Sequence, residues 1–348
     1  MSLRVGIAGA TGVVGETALS ILAQRGFPVG ELRLFSSARS AGRRVTWQDT
    51  EVVVEELSDP RLRDLDLVLS CVGSDTAREW VPRMVAAGAV VVDNSSAFRQ
   101  DPGVPLVIPE INPEAAGTHA GIVANPNCTT ATVCMAVAPI HASARIAAMT
   151  TTSYQSVSGT GREAMEELLD QVRKAVDQVP ALRGEEPLDV GEPHVYPHPL
   201  AFNLFPHCES FPDGGDTSTE EQKMVFETQK ILGSQDLRVH ATSVRVPVLV
   251  GHSVSVSVSL DRELPPDEAR RAISGFPGVR VLDRPGEAVY PTPLQSAGID
   301  EVLVGRIRRN PAVPNGLSLF ACGDNLRKGA ALNAVQIAEL LFGIGTGG

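Results

Sequence analysis

The stretch Arg4-Val5-Gly6-Ile7-Ala8-Gly9-Ala10-Thr11-Gly12-Val13-Val14-Gly15 decides the fold. Its first half is a short apolar run suited to a buried strand. Its second half is a glycine turn that leads into the helical periodicity of residues 15–24. Glycines spaced G-x-x-G-x-x-G permit a tight turn and close approach of backbone to a ligand, and a helix start offers unpaired N–H groups and the positive end of its dipole to a pyrophosphate. The spacing is a variant of the commoner dinucleotide fingerprint, and a glycine turn in an α/β protein also serves plain close packing. Its place between strand and helix favours dinucleotide binding, with Gly9, Thr11, Gly12, Val13 and Val14 as the expected contacts.

Outward from this turn, strand candidates recur at 32–35, 52–55, 67–70 and 90–93, separated by helical stretches. That alternation predicts a doubly wound parallel sheet of Rossmann-like type, whose buried strands read as apolar runs. After Asn127 the pattern changes to a helix at 130–142 and long strands at 150–157 and 253–260; Ser253-Val254-Ser255-Val256-Ser257-Val258-Ser259 has strict period two, as an antiparallel strand with one polar face requires. An α+β domain is expected here, so residues 1–127 form the nucleotide-binding domain and 128–324 the catalytic one. The apolar helix at 325–345 packs back on the first domain. Residues 190–215, dense in Pro, Gly and His, predict a long loop over the surface or a subunit interface.

The chain's 348 residues suit two domains. A net charge of −11 argues against nucleic acid as a partner, so an anionic ligand has to be held by local cations. The five cysteines are odd in number and show no spaced framework, which predicts reduced thiols and a cytoplasmic protein. The N-terminus runs straight into a strand with no leader pattern, and no apolar run is long enough to span a membrane.

The second strand candidate is followed by Ser36-Ser37-Ala38-Arg39-Ser40 and not by the Asp or Glu that takes an NAD ribose. Arg39 and Ser40 suit the 2′-phosphate of NADP, although a solvated loop arginine looks the same in sequence. In Asn125-Pro126-Asn127-Cys128-Thr129-Thr130 a cysteine stands where a helix begins, the position that favours the reactive thiolate. Cys134, inside that helix, reads as core. Glu220 and Lys223 lie three apart on one helix face, and Ser218 with Glu221 has capping-box spacing. His194-Val195-Tyr196-Pro197-His198 and His207-Cys208 lack the third and fourth ligands a zinc site needs, so no metal is expected.

The segments Gly9-Ala10-Thr11-Gly12, Ser95-Ser96-Ala97-Phe98-Arg99, Asn125 to Thr130, Tyr154-Gln155-Ser156-Val157-Ser158-Gly159, Val244-Arg245-Val246-Pro247, Gly251-His252-Ser253 and Gly323-Asp324-Asn325-Leu326-Arg327-Lys328-Gly329 together resemble the signature segments of the aspartate-semialdehyde dehydrogenase family, in family order over nearly the whole chain. The resemblance implies NADPH-dependent reductive dephosphorylation of L-aspartyl 4-phosphate to L-aspartate 4-semialdehyde and phosphate, on the branch to lysine, methionine, threonine and diaminopimelate, in at least a homodimer. It implies Cys128 as nucleophile, His252 as acid/base and Gln155 as the side chain that orients substrate. It also implies Arg99 and Lys223 as phosphate ligands, Asn127 as a substrate contact, Glu220 for the substrate ammonium, and Ser158, Gly159 and Asn325 on the cofactor. Arg245 interrupts the apolar run Ser243-Val244-Arg245-Val246-Pro247-Val248; a bidentate grip on the substrate α-carboxylate would offset the cost of its burial, and a buried salt bridge is the alternative. One departure from the family is Ser70-Cys71-Val72-Gly73-Ser74, where small residues usually follow Ser-Ala-Gly.

Three rival readings share parts of this pattern. N-acetyl-glutamyl-phosphate reductase has the same glycine loop and Cys/His pair, but usually places glycine before the cysteine and tyrosine after, against Asn127 and Thr129 here. A non-catalytic NADP sensor on the same fold would have no use for the Cys128, Gln155, Arg245 and His252 set, and a cysteine hydrolase would leave the dinucleotide loop without a purpose.

Overall fold

The structure, a computed structural model, describes residues 2–345. Two compact units share the chain. The first comprises the residues up to Cys134, Phe226–Gln235 and the residues from Leu326 on; the second comprises Met135–Val225 and Asp236–Asn325.

In the first unit β1 (Leu3–Ala8), α1 (Val13–Gln24), β2 (Val29–Ser36), β3 (Arg44–Trp47), β4 (Thr50–Glu56), β5 (Leu67–Ser70), α2 (Ser74–Ala86), β6 (Val90–Asp93) and β7 (Ile122–Ala124) precede α3 (Cys128–Ala144). The seven strands lie in the order β3-β4-β2-β1-β5-β6-β7, parallel except where β3 and β4 form a hairpin. This is the expected doubly wound sheet. It places the turn after β1 at the carboxyl ends of the central strands, where open α/β sheets bind ligands. The sequence reading missed β3 and β7 and began α1 at Gly15, whereas the helix starts at Val13.

In the second unit β8 (Ile146–Gln155), α4 (Arg162–Ala175), α5 (Val179–Leu182), α6 (Thr219–Ile231), β9 (Arg238–Arg245), β10 (His252–Leu260), α7 (Pro266–Ser274), β11 (Val279–Val281), α8 (Pro293–Ser296), β12 (Val302–Asn310) and β13 (Gly316–Gly323) build a six-stranded mixed sheet, ordered β11-β12-β13-β10-β8-β9. β10 runs antiparallel to both neighbours, with Val254, Val256 and Val258 buried and Ser255, Ser257 and Ser259 only partly covered, as period two requires. β8 ends at Gln155 and β9 at Arg245, each earlier than the apolar pattern suggested. These two strands are parallel neighbours, so Gln155 and Arg245 stand side by side where both end.

The chain then returns to the first unit through a π-helical turn, Arg327–Ala331, and α9 (Leu332–Leu341). Leu332, Val335 and Ile337 join Val5, Ile7, Ile21, Leu22, Leu34 and Leu69 in one core. The division expected at 127/128 differs in two places: α3 up to Cys134 and residues 226–235 group with the first unit. For the latter segment the cause is specific. Glu227 pairs with Arg99, and the Lys230 ammonium donates to the carbonyls of Arg99, Asp101 and Val104.

Candidate active site

The glycine turn is shaped by two close backbone approaches. Gly9 has φ +82°, and a Cβ there would stand 2.4 Å from the Cys71 carbonyl oxygen; a Cβ on Gly15 would meet the Gly9 oxygen at 2.4 Å. These two glycines let the turn, α1 and the end of β5 pack together. Gly12 differs, because its Cβ would meet nothing nearer than 3.4 Å. α1 has no side-chain cap, and among the described residues no acceptor takes the N–H of Val13 or Val14. A helix start with open amides and no methyl in the way fits a pyrophosphate. Thr11 Oγ1 bonds Ser36 Oγ at 2.9 Å and Ser40 Oγ at 3.4 Å, which ties the turn to the segment after β2. Arg39 lies exposed in that segment and makes no ion pair among the described residues. β2 itself ends in Leu34-Phe35-Ser36, so the strand places no carboxylate of its own at its carboxyl end. In the departing segment, Cys71 contributes its carbonyl to the Gly9 contact, and burial pushes its thiol up to about 12.

Cys128 is the first residue of α3 and is partly exposed. Asn127 caps this helix: its Oδ1 accepts from the N–H of Thr129 at 2.9 Å and of Thr130 at 3.1 Å. Its own N–H donates to Glu227 Oε2 at 2.7 Å. Glu227 also binds Arg99 Nη1 at 3.0 Å, while Arg99 Nε and Nη2 donate to the carbonyls of Asn125 and Asn94. A buried Arg–Glu pair thus clamps the turn that delivers the thiol to the positive end of the helix dipole, a place that favours an anion. Burial pushes the Cys134 and Cys322 thiols up to about 12, which leaves them inert beside Cys128.

The second unit gathers most of the polar side chains expected to meet the substrate. Gln155 Nε2 donates to Glu220 Oε1 at 2.9 Å. Glu220 is buried on the first turn of α6, and Lys223 approaches its other oxygen at 3.5 Å and also pairs with Glu209. The capping box is made in full: Ser218 N–H donates to Glu221 Oε2 at 2.8 Å and Glu221 N–H to Ser218 Oγ at 3.3 Å. Arg245 does not interrupt β9 but ends it. It is buried, its Nη1 donates to the Ser156 carbonyl at 2.7 Å, and its Nε has no partner. Among the described residues no carboxylate pairs with it.

His252, fully buried at the start of β10, accepts the Ser156 N–H on Nδ1 at 3.1 Å. In a neutral imidazole that bond leaves the proton on Nε2. Burial, and then the Arg245 charge, push its pKa down to about 3. Asn325 Oδ1 accepts from Gly251 N–H and from the Ser156 and Ser158 hydroxyls, which orders the same turn. A Cβ on Gly159 would stand 3.4 Å from His252 Nε2, so this glycine keeps that nitrogen approachable.

The structure therefore brings the expected residues together in two sets: the glycine turn with Thr11 and Ser40, and Arg99, Asn127 and Cys128, in the first unit; Gln155, Ser158, Gly159, Glu220, Lys223, Arg245, His252 and Asn325 in the second. Sequence reasoning missed Ser156, which serves both Arg245 and His252, and Glu227, which holds Asn127. Glu227 lies seven residues beyond Glu220 and four beyond Lys223, on one helical face, and that spacing was the available signal.

A glycine turn with open helix-start amides and a thiol at a capped helix start in the first unit, and a buried arginine, carboxylate and imidazole in the second, are the groups a nicotinamide-dependent aldehyde dehydrogenase needs. Residues 4–119 match the model of the semialdehyde dehydrogenase NAD binding domain, and residues 137–328 that of the semialdehyde dehydrogenase dimerisation domain. The chain is 47% identical to an aspartate-semialdehyde dehydrogenase of Synechocystis over 97% of each chain, and 44% identical to one of Aquifex aeolicus over 98% of each. The crystal structure of aspartate semialdehyde dehydrogenase II from Vibrio cholerae superposes with a TM-score of 0.91 at 38% identity over 99% of both chains, and a second structure of that enzyme is complexed with ASA. The chain belongs to the semialdehyde dehydrogenase family, and within it to the aspartate-semialdehyde dehydrogenases.

Proposed function

We infer that this chain catalyses the NADPH-dependent conversion of L-aspartyl 4-phosphate to L-aspartate 4-semialdehyde and phosphate, and the reverse. The observation that carries the reading is the pairing of a buried arginine whose Nε–Nη2 edge is open with the buried Glu220 beside Gln155: a cation for an α-carboxylate and an anion for an α-ammonium. An N-acetylated substrate has no ammonium for Glu220 to meet, which favours aspartyl over N-acetyl-glutamyl phosphate.

In this reading Cys128 Sγ attacks the acyl-phosphate carbonyl, phosphate leaves, and an acyl-thioester forms on the enzyme. Reduced nicotinamide, when bound, supplies the hydride. The Nε2–H of neutral His252 donates a hydrogen bond to the carbonyl oxygen as negative charge develops there, and the thiohemiacetal alkoxide then collapses to aldehyde and thiolate. Gln155 orients the carbonyl. Lys223 and Arg99 are the phosphate ligands, each a cation held in place by carboxylates of the same unit, Glu209 and Glu220 for Lys223 and Glu227 for Arg99. Asn127 acts by holding the helix start. The cofactor is NADP, supported by Arg39, the Ser36 and Ser40 hydroxyls and the absence of a carboxylate at the end of β2. The protein works as a homodimer, for which the sheet face of Thr150, Thr152, Ser255, Ser257 and Phe320, with Arg308 in the same row, offers a surface.

The test is acyl transfer without reductant. Incubation with L-aspartyl 4-phosphate alone should add an aspartyl group to the peptide containing Cys128, seen by mass spectrometry, and Cys128→Ala should give no adduct. An adduct on another residue, or turnover by Cys128→Ala, would sink the mechanism.

A further inference from the structure

We propose that Tyr196 is a positioning residue for Arg245, and that the Pro- and His-rich loop carrying it sets selectivity for an aldehyde that bears an α-carboxylate. The proposal rests on the reading of Arg245 as the carboxylate anchor. Nothing in that reading gives the loop a purpose, yet its placement is specific. The Tyr196 ring lies under the Arg245 guanidinium, with Cζ 5.4 Å from the ring centroid. The Tyr196 hydroxyl donates to Thr160 Oγ1 at 2.8 Å, and its ring meets Phe205 edge-on at 5.8 Å. Phe205 in turn pairs with the Arg245 backbone in both directions: Arg245 N–H donates to the Phe205 carbonyl at 2.9 Å, and Phe205 N–H to that of Arg245 at 3.2 Å.

The loop has no regular structure of its own, but it is fixed by side-chain acceptors on α4. Glu167 Oε2 takes the N–H groups of His194 and Val195, each at 2.8 Å, and Gln171 Oε1 takes those of Leu200 and Ala201 at 2.8 and 3.1 Å. Glu167 and Gln171 are both buried and four residues apart, hence on one face of the helix. Leu200, Ala201 and Phe205 share an apolar cluster with Ala164 and Leu168 of α4, and Tyr196 packs against it. Helix α4 therefore holds the loop, and the loop holds the ring against Arg245. With one face of the guanidinium covered by the ring and Nη1 taken by the Ser156 carbonyl, only the Nε–Nη2 edge remains. A planar fork fixed in this way aligns a carboxylate; a swinging arginine does not.

The experiment compares kcat/KM for L-aspartate 4-semialdehyde with that for 3-aminopropanal, the same aldehyde with hydrogen in place of the carboxylate, in the intact phosphate- and NADP-dependent reaction. Tyr196→Leu should lower kcat/KM for the semialdehyde by roughly 3- to 30-fold, mainly through KM, the range spanned by cation–π contacts from exposed to desolvated sites. It should leave 3-aminopropanal and the KM for phosphate unchanged. Tyr196→Phe, which keeps the ring, should retain the selectivity. Should Tyr196→Leu not fold, Tyr196→Met carries the same expectation. Equal losses on both aldehydes, or Tyr196→Phe as damaging as Tyr196→Leu, would overturn the proposal. Arg245→Lys separates the two layers. If it leaves the selectivity intact, the anchor reading fails and the proposal with it; if it abolishes the selectivity while Tyr196→Leu preserves it, the proposal alone fails.

Discussion

Gly15→Ala and Gly12→Ala, three residues apart in one turn, should fail in different ways. A methyl on Gly15 would stand 2.4 Å from the Gly9 carbonyl oxygen and 2.8 Å from Ala10 Cα, both backbone atoms. Carbon–oxygen contact needs nearly an ångström more, so α1 must move off the turn. Overpacking of this kind costs about 1–3 kcal/mol, and the helix-forming gain of alanine over glycine returns at most about 1. A Tm loss of roughly 2–8 °C follows. The shift also misaims the Val13 and Val14 amides, and loss of one or two hydrogen bonds to a charged group weakens NADPH binding by about 10- to 100-fold. Gly12 has φ −83°, which alanine adopts freely, and its methyl would meet only the Gly9 oxygen at 3.4 Å. Gly12→Ala should therefore keep its Tm while a methyl in the phosphate's space weakens NADPH just as much. Differential scanning fluorimetry without cofactor gives the first quantity and NADPH fluorescence titration the second. A normal Tm for Gly15→Ala, or normal NADPH affinity for Gly12→Ala, would refute the account of this turn.

Arg39→Glu should penalise NADP over NAD by roughly 10- to 1000-fold in the KM ratio, because a phosphate ligand becomes a like charge; equal losses for both cofactors would remove Arg39 from the 2′-phosphate site. Arg245→Lys keeps the charge but loses the fork, so kcat/KM for semialdehyde should fall by about 10²-fold or more. Lys223→Ala should instead raise the KM for phosphate in the oxidative direction and for aspartyl phosphate in the reductive one; interchanged signatures would reverse the two assignments. His252 is depressed to about 3 in the folded protein against roughly 6.5 in the unfolded chain, so the unfolded state binds the extra proton. Its contribution to stability is complete above about pH 6.5 and is lost as the pH falls toward 3. His252→Gln should flatten the Tm–pH curve in that window, and superimposable curves would contradict the buried neutral imidazole.

The local features of this protein were legible in its sequence because local chemistry makes them. The strand–glycine–helix turn, the thiol at a helix start and the Ser218/Glu221 capping box each depend on neighbours within a few residues. What was not legible depends on contacts remote in sequence. Glu227 reaches Asn127 across 100 residues, and Ser156 supplies an amide to His252 and a carbonyl to Arg245, functions that leave no mark on the identity of a serine. β3 was missed because Arg44-Val45-Thr46-Trp47 is a four-residue edge strand of mixed polarity whose hairpin partner makes it a strand. Arg245 was read as a charge inside a strand because Val246 and Val248 continue the apolar pattern, although the backbone turns away after it.

The central claim, an aldehyde dehydrogenase that reads an unblocked aspartyl group, is tested most directly by phosphate-dependent reduction of NADP with L-aspartate 4-semialdehyde measured beside N-acetyl-L-glutamate 5-semialdehyde. The account predicts rapid, phosphate-dependent turnover of the first and a kcat/KM for the second lower by orders of magnitude, since an acetylated nitrogen gives Glu220 no ammonium to meet and the longer chain misplaces the carbonyl. Comparable turnover of both, preference for the N-acetylated substrate, or reduction of NADP without phosphate would contradict it.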